Sequence, residues 1–167
     1  CGNSLMRTDR SERLDKLMEE AVAFSVDHVH KGGIPFTALV VDGNGKIIGR
    51  GVNRVREYHD PTAHAEVDAI RDACRTLKTP HLHGAILLAS GEPCAMCYMS
   101  ALYAGISQVF FAADRDEVAR HGFDYRGSYR LFASDPLAWQ SPRVAKLAVP
   151  KAMRPFQNFA AMSRISD

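Results

Sequence analysis

Apolar residues recur every three or four positions through Leu14, Leu17, Met18, Ala21 and Val22, which predicts a helix over residues 11–29. Asp9 or Ser11 is the candidate cap. The period then changes. Residues 35–53 (PFTALVVDGNGKIIGRGVN) place two apolar runs around Asp42-Gly43-Asn44-Gly45, the pattern of a β-hairpin with a tight turn. After a polar loop, residues 62–77 return to helical spacing. A short buried strand is expected over 85–90, a helix from Pro93 to about Ala104, a strand over 108–113, and a short helix over 114–122 that ends at a glycine. Residues 123–142 are irregular and rich in aromatics and turn formers. Residues 143–149 (RVAKLAV) are expected as a last strand, and 151–164 as a last helix carrying Met153, Phe156, Phe159 and Met162.

This alternation implies an α/β fold: a three-layer α-β-α sandwich around a mixed five-stranded sheet, in which an antiparallel hairpin joins parallel βαβ units. The chain shows no repeat, linker or low-complexity stretch, and its 167 residues suit one domain. Residues 1–10 are expected as an N-terminal tail and 11–167 as the single domain. Residues 1–5 precede Met6 and are expected to be extraneous to the natural chain, which leaves Cys1 without a role.

Composition narrows the class. Hydrophobic residues at 46% and charged residues at 24% are ordinary for a soluble globular protein. A net charge of +2 argues against a broad nonspecific grip on nucleic acid. The opening CGNSLMRTDR lacks an apolar run of signal-peptide length, and no stretch approaches the roughly 18 apolar residues of a membrane span. The expected location is therefore the cytoplasm, where a Cys-x-x-Cys pair points to metal or redox chemistry more than to a structural disulfide.

Two short motifs carry the candidate chemistry, each opening a helix: Pro61-Thr62-Ala63-His64-Ala65-Glu66 and Glu92-Pro93-Cys94-Ala95-Met96-Cys97. Cys94 and Cys97 are three apart, so one helical face presents both sulfurs. A helix N-terminus favours thiolates, the form that binds zinc. With His64 they make three ligands; a structural zinc normally has four protein ligands, whereas a catalytic one leaves a place for water. None of His59, His81, His83, His121 or Cys74 sits at short ligand spacing from the three, so an open site with one zinc per subunit is expected. Residues two apart on a helix diverge by roughly 200°, so His64 and Glu66 can share a cleft only if the helix meets it end-on. Glu66 is then the proton carrier, taking a proton from a water activated by the metal and passing it to the ring and to departing ammonia. An H-x-E followed by P-C-x-x-C is the established signature of zinc deaminases. The other readings of these residues are a structural zinc knot and a redox dithiol, neither of which needs Glu66.

The same motifs resemble the cytidine deaminase-like superfamily over about residues 12–160, and within it the bacterial guanine deaminase branch. The stretches that carry this are Pro35-Phe36, Gly51-Val52-Asn53, DPTAHAEVDAIRDAC (60–74), EPCAMC (92–97), VFFAAD (109–114), Gly122-Phe123-Asp124 and Pro155-Phe156-Gln157. The resemblance implies that Asn53 hydrogen-bonds a polar edge of the ring, that Phe36 lines the pocket, and that the backbone at Ala65 contacts the base. It also implies a homodimer whose C-terminal segments exchange, making Phe156 and Phe159 pocket aromatics in trans; ordinary helix packing is the alternative for both. This chain departs from the branch at Tyr103, where a tryptophan is usual and where tyrosine still permits stacking on the substrate, and at Thr37, where a glycine is usual. At Tyr125 a second carboxylate is usual, and the adjacent Asp124 is its candidate replacement. Tyr125, Arg126 and Tyr129 extend this into a polar aromatic cluster that is either an ordinary turn or a determinant of substrate choice. The expected reaction is zinc-dependent hydrolytic deamination of a free nucleobase or related aminated heterocycle, with guanine the leading candidate. The alternatives are a smaller ring (cytosine, isocytosine or a triazine) and tRNA adenosine, which would need a basic surface at the cleft.

Overall fold

A computed structural model of the chain describes residues 2–165, with side chains over 9–164; Cys1 lies outside the described residues. The chain divides into two compact units, 1–132 and 133–167.

In the first unit, α1 (Gly2–His30) precedes the hairpin β1 (Thr37–Val41) and β2 (Ile47–Val52), then a short α2 (Val55–Tyr58) and α3 (Ala65–Leu77). There follow β3 (Ile86–Gly91), α4 (Ala95–Ala104), β4 (Gln108–Ala113), α5 (Arg115–Arg120) and a 3₁₀ segment over Arg126–Ala133 that ends at the unit boundary. The strands form one sheet in the order β2-β1-β3-β4. β1 is antiparallel to both β2 and β3, and β3 is parallel to β4.

The period-two alternation of the central strands builds both cores. Ala38, Val40 and Leu87 face a layer containing Ala65, Ala69, Ile70 and Ala73 of α3 and Ala101 and Ala104 of α4. Leu39, Val41, Ile86 and Leu88 face the opposite way, onto Ala21 of α1 with Leu14, Leu17 and Met18 around it. The helices therefore cover both faces, as the alternation of elements predicts.

The sheet has four strands and not five. Residues 143–149 are not a strand; Leu147 is 86% exposed and Val149 is also exposed. An apolar run becomes a strand only when another edge takes up its backbone groups, and that partner lies outside any local pattern. The second unit contains a 3₁₀ turn (Pro136–Ala138) and α6 (Arg154–Ile165).

The closest packing in the fold lies between β2 and α3. A Cβ on Gly51 would stand 2.1 Å from the Ala65 carbonyl oxygen, and one on Gly49 would stand 2.4 Å from that of Ala69. Alanines at 65, 69 and 73, spaced four apart, present the matching small-residue stripe on α3. The same helix also serves the backbone of this edge strand. Asp68 accepts from the Val52 N–H at 3.2 Å, and Asp72 from the Arg50 N–H at 2.9 Å. These carboxylates satisfy donors that an edge strand otherwise leaves to solvent. Gly51→Ala is expected to cost about 3 kcal/mol or more, because the obstructing atoms are backbone and cannot rotate away. Gly43→Ala, where a Cβ meets nothing within 4 Å, is expected to change stability little; urea denaturation of both variants checks this.

Candidate metal centre and active site

Each motif ends its loop by capping a helix. His64 stands at the N-cap of α3 with extended backbone (φ −69°, ψ 154°), and Cys94 does the same for α4 (φ −74°, ψ 175°). A residue at the N-cap is outside the helical rotation, which removes the divergence between His64 and Glu66. Both side chains therefore reach the cavity from the end of α3.

The three donors converge. His64 Nδ1 lies 3.5 Å from Cys94 Sγ and 3.4 Å from Cys97 Sγ, and the two sulfurs are 3.6 Å apart. A tetrahedral zinc with ordinary bond lengths requires sulfur–sulfur and sulfur–nitrogen edges of about 3.8 and 3.5 Å. The residues present therefore fit zinc in both donor chemistry and spacing. Among the described residues no further His, Cys, Asp or Glu joins this group, so the protein supplies three ligands. A zinc ion held by these residues would lower the pKa of a water to about 7 and so would supply a nucleophile at neutral pH.

The electrostatics agree with that use. The Cys94 thiol is held down to about 4, first by its hydrogen bond with Cys97 and then by His64 against the opposing effect of burial. Cys97 is pushed up, first by its hydrogen bond with Cys94 and then by burial. Metal ligation takes both cysteines as thiolates, so a dication would displace the proton between the two sulfurs. The hydrogen bond to Cys94 raises His64. Glu66 is 4% exposed, and burial drives its carboxyl above the usual range. Its Oε2 lies 3.2 Å from Cys97 Sγ. A buried carboxyl that close to the ligand set can accept a proton and return it, which is the chemistry that deamination requires.

A cavity of about 310 Å³ opens beside the metal ligands. His64, Glu66 and Cys94 form one side. Phe36, Phe123 and Tyr125 provide aromatic walls, with Phe36 edge-on to Phe123 at 5.2 Å and to Tyr125 at 6.4 Å. Asn53 and Asp124 contribute polar edges. Phe36, Asn53, Asp124 and Tyr125 all line this cavity. Ala65 is wholly buried against Gly51 and does not line the cavity. Tyr103, 83% exposed on the last turn of α4, does not line it either. Phe159 is 74% exposed on α6 of the second unit.

Sequence reasoning missed Ile34, Val55, Glu92 and Phe123 as lining residues. Glu92 precedes the Pro-Cys step, and its carboxylate is buried (6% exposed). It pairs with Arg115, whose guanidinium lies 3.8 Å above the Tyr129 ring. Four contacts, from Tyr125, Ser128 and Tyr129, fasten the segment after Phe123 to the residues that open α4. The Tyr125 hydroxyl donates to the Glu92 carbonyl, and the Tyr129 hydroxyl reaches the Pro93 carbonyl and, at 3.1 Å, Glu92 Oε2. The Ala95 N–H donates to Ser128 Oγ at 3.2 Å. Asp124 is gripped by Arg126 through two contacts of 2.9 Å, which holds its carboxyl down to about 2.

The family model for the cytidine and deoxycytidylate deaminase zinc-binding region matches residues 11–113. The chain belongs to this family. It is 37% identical over 150 residues to the guanine deaminase of Bacillus subtilis, covering 87% of this chain and 95% of that protein. The X-ray structure of the Bacillus subtilis guanine deaminase superposes with a TM-score of 0.80 at 34% identity, over 88% of this chain and 93% of that one. A tRNA-specific adenosine deaminase of Agrobacterium fabrum is 34% identical over 152 residues, covering 90% of this chain and 93% of that protein. The protein is thus a zinc-dependent hydrolytic deaminase.

Cys97→Ala is expected to retain less than about a tenth of the wild-type zinc, read by metal analysis of the purified protein. Glu66→Gln is expected to keep its zinc while kcat falls by about a hundredfold or more, since the amide cannot carry the proton.

Proposed function

We propose that the deaminase acts on a free purine base, with guanine as its substrate. The observation that carries this reading is the cavity: a small slot with aromatic walls at Phe36, Phe123 and Tyr125, polar groups at Asn53 and Asp124, and Glu66 beside the ligand set. Such a slot suits a planar ring without an attached polymer. The likeness to guanine deaminase, which runs through nearly the whole of both chains, supports the same choice.

In this reading residues 11–167 work as one deaminase domain. His64, Cys94 and Cys97 hold the metal. Glu66 alone moves protons, because Arg126 keeps Asp124 as a fixed carboxylate and Tyr125 spends its hydroxyl on the Glu92 carbonyl. Asn53 hydrogen-bonds the polar edge of the ring, and Phe36 packs on its face. A homodimer in which the C-terminal segments exchange would bring Phe159, and the exposed Tyr103, to a shared site. The apolar residues Phe156, Phe159 and Met162, all exposed on α6 in the single chain, support such pairing. Among the described residues no helix is long and apolar enough to cross a membrane. A cytoplasmic role in purine catabolism belongs to the guanine reading.

A second reading, tRNA adenosine deamination, is favoured by the near full-length likeness to the Agrobacterium fabrum protein. Ammonia release by the zinc-loaded protein from guanine, guanosine, cytosine, isocytosine, ammeline, adenine and a tRNA anticodon stem-loop separates these readings. Guanine is expected to turn over fastest. Turnover of a smaller ring with guanine inert would make Tyr125 the residue that redirects the pocket, and activity on the stem-loop alone would establish the tRNA reading.

A further inference from the structure

His28, in the last turn of α1, has no part in the chemistry described above, yet it is only 8% exposed. Its Nε2 lies 3.1 Å from the Asn53 carbonyl oxygen. A carbonyl only accepts, so Nε2 carries the proton and the tautomer is fixed by its partner. Gly33 lies against the same Nε2 end of the ring: a Cβ there would stand 2.2 Å from His28 Nε2 and 2.3 Å from its Cε1. The chain can cross the imidazole at this distance only with glycine at that position. The Gly33 N–H donates to the His28 carbonyl at 2.9 Å, and Arg56 holds the Gly32 carbonyl at 3.1 Å.

The crossing segment leads straight to two residues that line the cavity, Ile34 and Phe36, and the Phe36 carbonyl accepts from the Asn53 N–H at 3.0 Å. Asn53 is also held at its side chain, where Oδ1 accepts from the Val55 N–H at 3.2 Å. We infer that His28 is a positioning residue that locks the two walls of the cavity, the 31–36 segment and the Asn53 end of β2, into one register. With the carbonyl, the amide N–H and Oδ1 of Asn53 all engaged, its side-chain NH2 is the group left to meet a ligand. His28 thereby sets where the pocket offers its hydrogen-bond donor. This rests on the reading of Asn53 as a residue that recognises the ring.

Gln and Met are close in shape and differ in whether they keep an amide donor, so His28→Gln and His28→Met separate the hydrogen bond from packing. In the zinc-loaded protein, exchange of the Asn53 amide proton is expected to accelerate by about tenfold in His28→Met and to stay near the wild-type rate in His28→Gln. KM for guanine is expected to rise between about threefold and tenfold in His28→Met with kcat within about twofold, and to be restored in His28→Gln. Zinc content should be equal in all three proteins. Unchanged Asn53 exchange in His28→Met would overturn the inference, as would equal loss in the Gln variant. If no protein in the series turns over guanine, the substrate reading fails, and amide exchange alone still decides the role of His28.

Discussion

Gly49 and Gly51 let α3 lie against β2 at a distance that no side chain on the strand would permit, and the chemistry of the chain is referred to that contact. The first residue of α3 rests on Gly51, so the end of the helix is fixed relative to the sheet. His64 and Glu66 project from that end, and their positions follow from it. α4 packs on the same face of the sheet through Ala101 and Ala104 and brings Cys94 and Cys97 to meet them. Sub-ångström agreement among three donors from two helices therefore has its origin in two missing side chains. The carboxylates of Asp68 and Asp72 complete the attachment by binding the strand's own backbone.

The metal site was legible in the sequence because its logic is local. Ligands three apart at the opening of one helix, and a His-x-Glu at the opening of another, each describe their own geometry once the helix boundary is known. The sheet was legible over β1 to β4 for a related reason: the strands are short apolar runs bounded by strong turn residues. The expected strand at 143–149 had the same apolar character and no recorded partner edge, and apolar character does not supply one.

The contacts that sequence reasoning missed act at long range. Tyr129 meets Pro93 across 36 positions, and Tyr125 meets Glu92 across 33. No periodicity connects them. His28 reads in sequence as one more polar residue on an amphipathic helix, and only the close pass of Gly33 over its ring shows that it is built in. Thr37, a departure from the glycine usual in the guanine deaminase branch, is likewise explained only in three dimensions. Its hydroxyl donates to the Ala21 carbonyl at 2.7 Å and its N–H to Ser90 Oγ at 3.0 Å, tying α1 to β1 and β3.

The fastening of the 123–129 segment has an evolutionary corollary. Two of its anchors, the Tyr125 and Tyr129 hydroxyls, grasp main-chain carbonyls of Glu92 and Pro93, and every amino acid at those positions offers the same carbonyl. Side chains at Phe123 and Asp124 can therefore be exchanged without altering these two anchors. The part of the wall that shapes the pocket is thus held by main-chain groups beside the metal ligands and does not depend on its own side chains at those two positions.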